Sequence, residues 1–159
     1  MEKKERKKNR LKNFDYSQNG AYFITICTNN RKPILSEITV GATCSRLDVQ
    51  LSEYGEIIDN ELKKLNTIYE NVYIDNYVIM PNHIHMIIRI ESDHRRLQVA
   101  PTIIRIIKQF KMSVTKQIGT SIWQKGYYDH VIRDNIDYMT KYQYIDENPA
   151  KWDKDKYYH

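Results

Sequence analysis

A chain of 159 residues is the length of one ordinary domain, and no Gly-, Ser- or Pro-rich linker splits it into two segments that could each bury a core. Hydrophobic residues at 41% and charged residues at 28% exclude a wholly disordered chain, and apolar runs of only a few residues exclude a membrane-spanning helix. Cys27 and Cys44 are too few for a disulfide framework and lack CxxC spacing, and the charged start MEKKERKKNRLK lacks the apolar stretch of a secretory signal, so a cytoplasmic protein is expected.

The formal net charge of +5 is unevenly placed: residues 1–12 hold seven Lys/Arg against two Glu, and the rest of the chain holds eighteen of each sign. Residues 1–13 are read as a basic arm and 14–159 as a single domain. Lys3, Lys4, Arg6, Lys7, Lys8 and Arg10 of the arm are candidates for phosphate contacts, because each cation near a phosphate displaces condensed counterions whatever the base sequence. A merely solubilising tail fits the same charge run.

Beyond the arm, Tyr22 to Thr28 is aromatic and β-branched between Asn19-Gly20 and Asn29-Asn30, which predicts a first strand. The connection over 29–50 contains Pro33 and Gly41 and has room for a short hairpin around Ile38–Val40 and Leu47–Val49. Ser52 is placed to cap a helix running to about Tyr69, with Tyr54, Ile58, Leu62 and Leu65 on one stripe. Val72 to Met80 and His83 to Ile90 are apolar runs separated by Pro81-Asn82, a turn pair, and predict an antiparallel hairpin.

Pro101 suits the first turn of a second helix carrying Ile103, Ile107, Phe110 and Val114 on one stripe and stopping at Gly119. A strand follows at Tyr127 to Arg133. Asp134 and Asp137 then stand at capping-box spacing before a helix that ends near Asn148, since Pro149 disfavours helical geometry in the residue before it. The order β-α-β-β-α-β plus a last helix predicts an α+β, ferredoxin-like fold: an antiparallel sheet with two helices on one face.

Two features carry chemistry. Alternation along His83–Ile90 puts Ile84, Met86, Ile88 and Ile90 on the face that helices cover, and His83, His85, Ile87 and Arg89 on an open face. Two histidines two residues apart on one strand face have Cα atoms roughly 6.5–7 Å apart, a span that two imidazoles can close on one cation, although such pairs also arise as ordinary sheet residues. On the last helix, Ile136, Tyr138, Met139, Tyr142 and Ile145 gather on one apolar side, while Tyr144 falls opposite with Asp137, Lys141 and Asn148. Core packing therefore does not account for Tyr144, one of thirteen tyrosines in the chain.

Met80-Pro81-Asn82-His83-Ile84-His85 followed by an apolar strand, with Tyr144-Ile145-Asp146-Glu147-Asn148-Pro149 near the carboxyl end, resembles the single-tyrosine HUH transposases, in particular their REP-associated tyrosine transposase branch. Asp15-Tyr16, Tyr22-Phe23-Ile24-Thr25, Phe110-Lys111, Trp123-Gln124, Tyr128–Arg133 and Asn148–Trp152 stand in family-like order. The resemblance implies that His83 and His85 are metal ligands, that Tyr144 is the nucleophile and that Asn148, where relatives often have Gln, is the third ligand. It also implies single-stranded DNA near a hairpin as substrate, and cleavage through a 5′-phosphotyrosine. Magnesium or manganese suits such hard-cation chemistry.

Arg105, Lys108, Lys111 and Lys116 on the second helix are candidates for DNA backbone contacts, and equally fit a solvated helix face. His130 is assigned a structural place in its strand. Two rival functions remain on the residues alone: a non-cleaving hairpin-binding regulator, and a hydrolytic metal nuclease in which water attacks. Monomeric and homodimeric assemblies both fit.

Overall fold

The alternating segments of the sequence become a four-stranded antiparallel sheet in the computed structural model, which describes residues 19–40, 47–91 and 102–158. The basic arm with Lys3, Lys4, Arg6, Lys7, Lys8 and Arg10 lies outside the described residues, as do Asp15-Tyr16, Gly41, Cys44 and Pro101. The strands are β1 (Gly20–Cys27), β2 (Ser36–Val40), β3 (Leu47–Leu51), β4 (Val72–Ile79), β5 (His83–Ile90) and β6 (Tyr128–Ile132). The helices are α1 (Glu53–Ile68), α2 (Ile103–Ile118) and α3 (Asn135–Glu147), with short 3₁₀ turns at Asn29–Arg31 and Pro149–Lys154.

The main sheet has the order β4-β5-β1-β6, and β2 pairs with β3 as a separate ribbon, the hairpin expected from the 29–50 connection. Every pairing is antiparallel. The first strand begins two residues earlier than the residue pattern indicates, because Gly20 pairs with Ile90; Thr28 leaves the strand to form a single bridge with Trp123.

Each helix is delimited by the chemistry its ends require. Ser52 Oγ accepts from Gly55 N, Thr102 caps α2 by accepting from Arg105 N, and Asp134 accepts from Asp137 N. Gly119 ends α2 at φ 84, a left-handed conformation that costs a residue without a Cβ little. Gly55 answers a different demand: a Cβ there would lie 2.2 Å from the Leu35 carbonyl oxygen, so the close approach of α1 to that loop needs glycine.

One face of the sheet builds the core. Tyr22, Ile24 and Ile26 of β1 and Ile84, Met86, Ile88 and Ile90 of β5 pack against Ile58, Leu62 and Leu65 of α1 and Ile103, Ile107, Phe110 and Val114 of α2. These are the stripes read from the periodicity. The opposite face, read as open, is covered: α3 and the residues after it lie across it, around a small apolar cluster of Phe23, Ile87 and Ile145. His83 and His85 are consequently buried, at 0% and 1% exposure.

The apolar side expected for α3 is also corrected. Ile136 and Met139 face solvent at 80% and 55% exposure, and Ile145 is the only buried residue of the helix. Tyr138, Tyr142 and Ile145 of that side do pack on the sheet, and polar bonds add to the docking: the Tyr138 hydroxyl donates to Asp75 Oδ2 at 2.9 Å, and Asn76 Nδ2 donates to Asp146 Oδ1 at 2.9 Å. Such bonds leave no trace in hydrophobic periodicity. No helix among the described residues is long and apolar enough to cross a membrane.

Candidate metal and nucleophile site

β5 begins with the two histidines because the β4–β5 turn is held from inside the protein. Asn82 is fully buried, and its amide Nδ2 donates to Tyr157 O at 2.7 Å and to Arg31 O at 3.3 Å. Those two acceptors orient the amide, so Asn82 Oδ1 faces His83 Nδ1 at 2.8 Å as an acceptor. His83 therefore carries its proton on Nδ1 and leaves the Nε2 lone pair free, which is the tautomer a metal ligand needs. His85 Nδ1 lies 2.8 Å from Thr25 Oγ1, its cross-strand partner, and the two Nε2 atoms converge to 3.0 Å.

Both imidazoles are held neutral. Burial pushes the His83 pKa down to about 4, and burial together with the neighbouring His83 pushes His85 well below its usual range. Asp155 completes a cluster: one ligand atom from each of His83, His85 and Asp155 lies within 4.8 Å of the others. Asn148 is 2% exposed and donates Nδ2 to Asp155 Oδ2 at 2.9 Å. Its Oδ1 is buried with no hydrogen-bond partner among the described residues, and the side chain adjoins the His83 ring.

That donor set suits a divalent cation. Two neutral imidazoles and a carboxylate are ordinary ligands for a first-row ion, and a buried carbonyl oxygen without a donor is costly unless something positive meets it. Sequence reasoning placed Asn148 here but missed Asp155. The 3₁₀ turn at Pro149–Lys154 reverses the chain and returns Asp155 to the histidines, and nothing in local spacing announces that return.

Tyr144 joins the same cluster. Its ring lies 5.2 Å from the His85 ring and 5.9 Å from Phe23, both edge-on, within one chain. The side that was expected to face away from the core therefore faces the histidines. Burial, then the negative charge of Asp155, pushes the phenol up to about 12, and Asn148 and Asp155 are its polar neighbours. Tyr157 packs on His83 at 4.5 Å between ring centroids and Trp152 at 5.9 Å, so the segment after α3 forms a wall of the site. Lys141, one turn before Tyr144, places Nζ 5.4 Å from the Phe23 ring centroid.

The other candidates separate from this cluster. Arg105 and Lys108 are exposed on α2, which packs against the opposite face of the sheet. Lys111 is half-buried and fastens its ammonium to Gln124 O at 2.8 Å and Gly126 O at 3.0 Å. His130 pairs with Asp137 at 2.8 Å, tying the first turn of α3 to β6.

No family model matches the chain. An uncharacterized protein of Haemophilus influenzae is 32% identical over 169 aligned positions, covering 94% of this chain and 91% of that protein. A second Haemophilus influenzae protein, assigned provisionally as a REP-associated tyrosine transposase, is 26% identical over 146 positions, covering 86% of this chain and 74% of that one. The chain is thus similar in sequence to a protein assigned to the REP-associated tyrosine transposases.

The fold agrees with that likeness. A REP-associated tyrosine transposase solved bound to a REP hairpin superposes with a TM-score of 0.64 at 21% identity, over 90% of this chain and 74% of that one. A provisionally assigned transposase of Deinococcus radiodurans gives a TM-score of 0.51 at 14% identity, over 87% of this chain and 95% of that one. The α+β architecture with a helix after the last strand is thus the transposase fold.

Proposed function

We propose that this chain cleaves and rejoins single-stranded DNA, with Tyr144 as nucleophile and His83, His85, Asp155 and Asn148 holding a divalent cation. The observation that carries the reading is the meeting, inside one chain, of Tyr144 with a His-His-Asp cluster of two buried histidines and a partly buried carboxylate, with an unsatisfied amide oxygen at its edge. The likeness to a REP-associated tyrosine transposase supports a transposase-type role in DNA processing.

The chemistry is a transesterification. The Tyr144 oxygen forms a bond to phosphorus, the bond from phosphorus to the 3′-oxygen breaks, and the leaving oxygen takes up a proton to become a free 3′-hydroxyl. The phenol proton must be lost, and a phenol held near 12 is a poor nucleophile in water. A divalent cation bound at the cluster supplies positive charge that offsets Asp155 and the charge developing on the phosphate. Manganese suits imidazole nitrogen better than magnesium does, and both accept carboxylate and amide oxygen.

Asn82 and Thr25 orient the two imidazoles, and Tyr157 and Trp152 shield His83 from water. The phosphotyrosyl bond conserves the phosphodiester energy, so the 3′-hydroxyl of another end can reverse the step and join strands without a nucleotide cofactor. A hairpin-bearing single strand is the substrate to use, since the solved relative holds a REP hairpin.

The test is incubation of the full chain with hairpin-bearing single strands, with and without manganese, followed by denaturing electrophoresis. A covalent protein–DNA adduct that needs the metal and disappears in Tyr144→Phe is the expected result. Free cleaved ends without an adduct would instead make the protein a hydrolytic nuclease, and tight binding with intact DNA would make it a binding protein.

A further inference from the structure

On the far side of the molecule α2 presents a second stripe that the core does not use. Ile104 and Met112 are exposed at 39% and 61%, and Lys108 and Lys116 lie along the same side of the helix. Across from them runs the segment 121–127, held to the helix by the bonds from Lys111 to Gln124 O and Gly126 O. Between the two is a groove of about 760 Å³, a volume in the range of pockets that hold small organic ligands.

We propose that this groove is a second DNA subsite, which takes an unpaired stretch of the strand whose phosphate is cleaved at Tyr144. The inference rests on the DNA-processing reading given above and adds where the rest of the strand goes. Ile107 and Trp123, core residues at 1% and 6% exposure, close the bottom of the groove, and the half-buried Tyr127 with exposed Ile104 and Met112 forms its apolar walls. Its charged side chains are all lysines, with Lys108, Lys116 and Lys125 joining Lys111, and among the described residues no carboxylate lines it.

An apolar wall carrying an aromatic ring, Tyr127, under a purely cationic rim is the chemistry that stacks a base while tracking phosphates, and it tolerates sequence because every base has a π-face. The chain's own basic arm carries the wrong charge for it. A second copy brings a body of balanced charge, with eighteen residues of each sign outside the arm, and so no complement to a lysine rim.

The groove also connects with the site. Trp123 bridges to Thr28 and Gln124 N donates to Cys27 O, while Cys27 is the cross-strand partner of His83. From Tyr127 the chain passes to Tyr128, 39% exposed, with Lys156 Nζ 5.7 Å from its ring centroid. Lys156 also lies 4.9 Å from the ring of Tyr157, which packs on His83. Aromatic and basic side chains thus run without a break in sequence position or contact from the histidines to the groove mouth.

The experiment uses the full chain and hairpin DNA with and without a single-stranded extension. In Lys108→Glu/Lys125→Glu, binding of the extended strand weakens by roughly tenfold or more, and its log–log salt slope falls by at least about 1.4, while the hairpin without extension binds as before. Lys63→Glu, a surface change on α1, alters neither. With 5-iodo-2′-deoxyuridine at successive positions of the extension, irradiation crosslinks the strand to Tyr127.

Unchanged binding of the extended strand in the double variant, or crosslinks that never reach 121–127, would overturn the subsite. The adduct assay separates this from the parent reading. Groove-dependent binding without a Tyr144 adduct keeps the subsite and removes the cleavage chemistry, whereas an adduct formed at wild-type strand affinity in the double variant removes the subsite alone.

Discussion

The two faces of the sheet are built by opposite means. Against α1 and α2, strands β1 and β5 contribute interdigitated aliphatic side chains, and hydrophobic burial holds the layers together. Under α3 the apolar contact shrinks to Phe23, Ile87 and Ile145, and hydrogen bonds from Tyr138, Asn76 and Asn82 do the positioning. The first face spends its contacts on stability. The second keeps polar groups dehydrated and aimed, an arrangement that favours chemistry over stability.

The contrast can be broken most sharply at Tyr144. On the proposed function, Tyr144→Phe is expected to abolish the covalent adduct yet shift the melting temperature by less than about 2 °C, because the ring stays and only a hydroxyl on a half-exposed side chain is lost. On the opposite face Phe110→Ala, at a side chain 1% exposed, costs about 3–5 kcal/mol in chemical denaturation through lost burial and the cavity left behind. A variant in which these two readouts exchanged places would end the division of labour.

Asn82→Ala sharpens the comparison within the polar face. It removes the acceptor that fixes the His83 tautomer, and metal affinity measured by titration calorimetry should fall about 10- to 100-fold. Acidification probes the same dehydration. His83 has a folded pKa near 4, below the usual histidine range, so between roughly pH 6.5 and 4 the unfolded chain binds a proton that the folded chain refuses. Stability is therefore full above that window and falls as the pH drops through it; His85 acts in the same direction. Denaturation midpoints that stay level from pH 7 to 4 would contradict the buried neutral pair. The smallest effect belongs to Asp137→Asn at the partly exposed His130 contact, about 1 kcal/mol or less.

The sequence made the apolar face easy to read because burial there is periodic: Ile84, Met86, Ile88 and Ile90 alternate, and the α1 and α2 stripes recur at helical spacing. The histidine pair was legible for the same reason, as the exception to that alternation. The docking face of α3 was not, since Ile136 and Met139 are apolar yet exposed, while Tyr138 and Asn148 are turned inward for their polar ends. Asp155 was hidden for a topological reason: the histidines it joins are 72 and 70 residues away in sequence (155 less 83 and 155 less 85), and a short turn, not a periodic element, brings it to them.

The reversal of the chain at Pro149–Lys154 has a mechanical consequence. Tyr144, Asn148 and Asp155 all belong to one contiguous stretch, whereas His83 and His85 stand on the sheet itself. The candidate centre is a two-piece assembly, with the imidazole nitrogens on the sheet and the Tyr144 phenol and the Asn148 and Asp155 oxygens on one continuous segment. Displacing that segment would separate all its contributions from the sheet at once, so in the proposed reaction cation retention and strand attack would rise and fall as a single event.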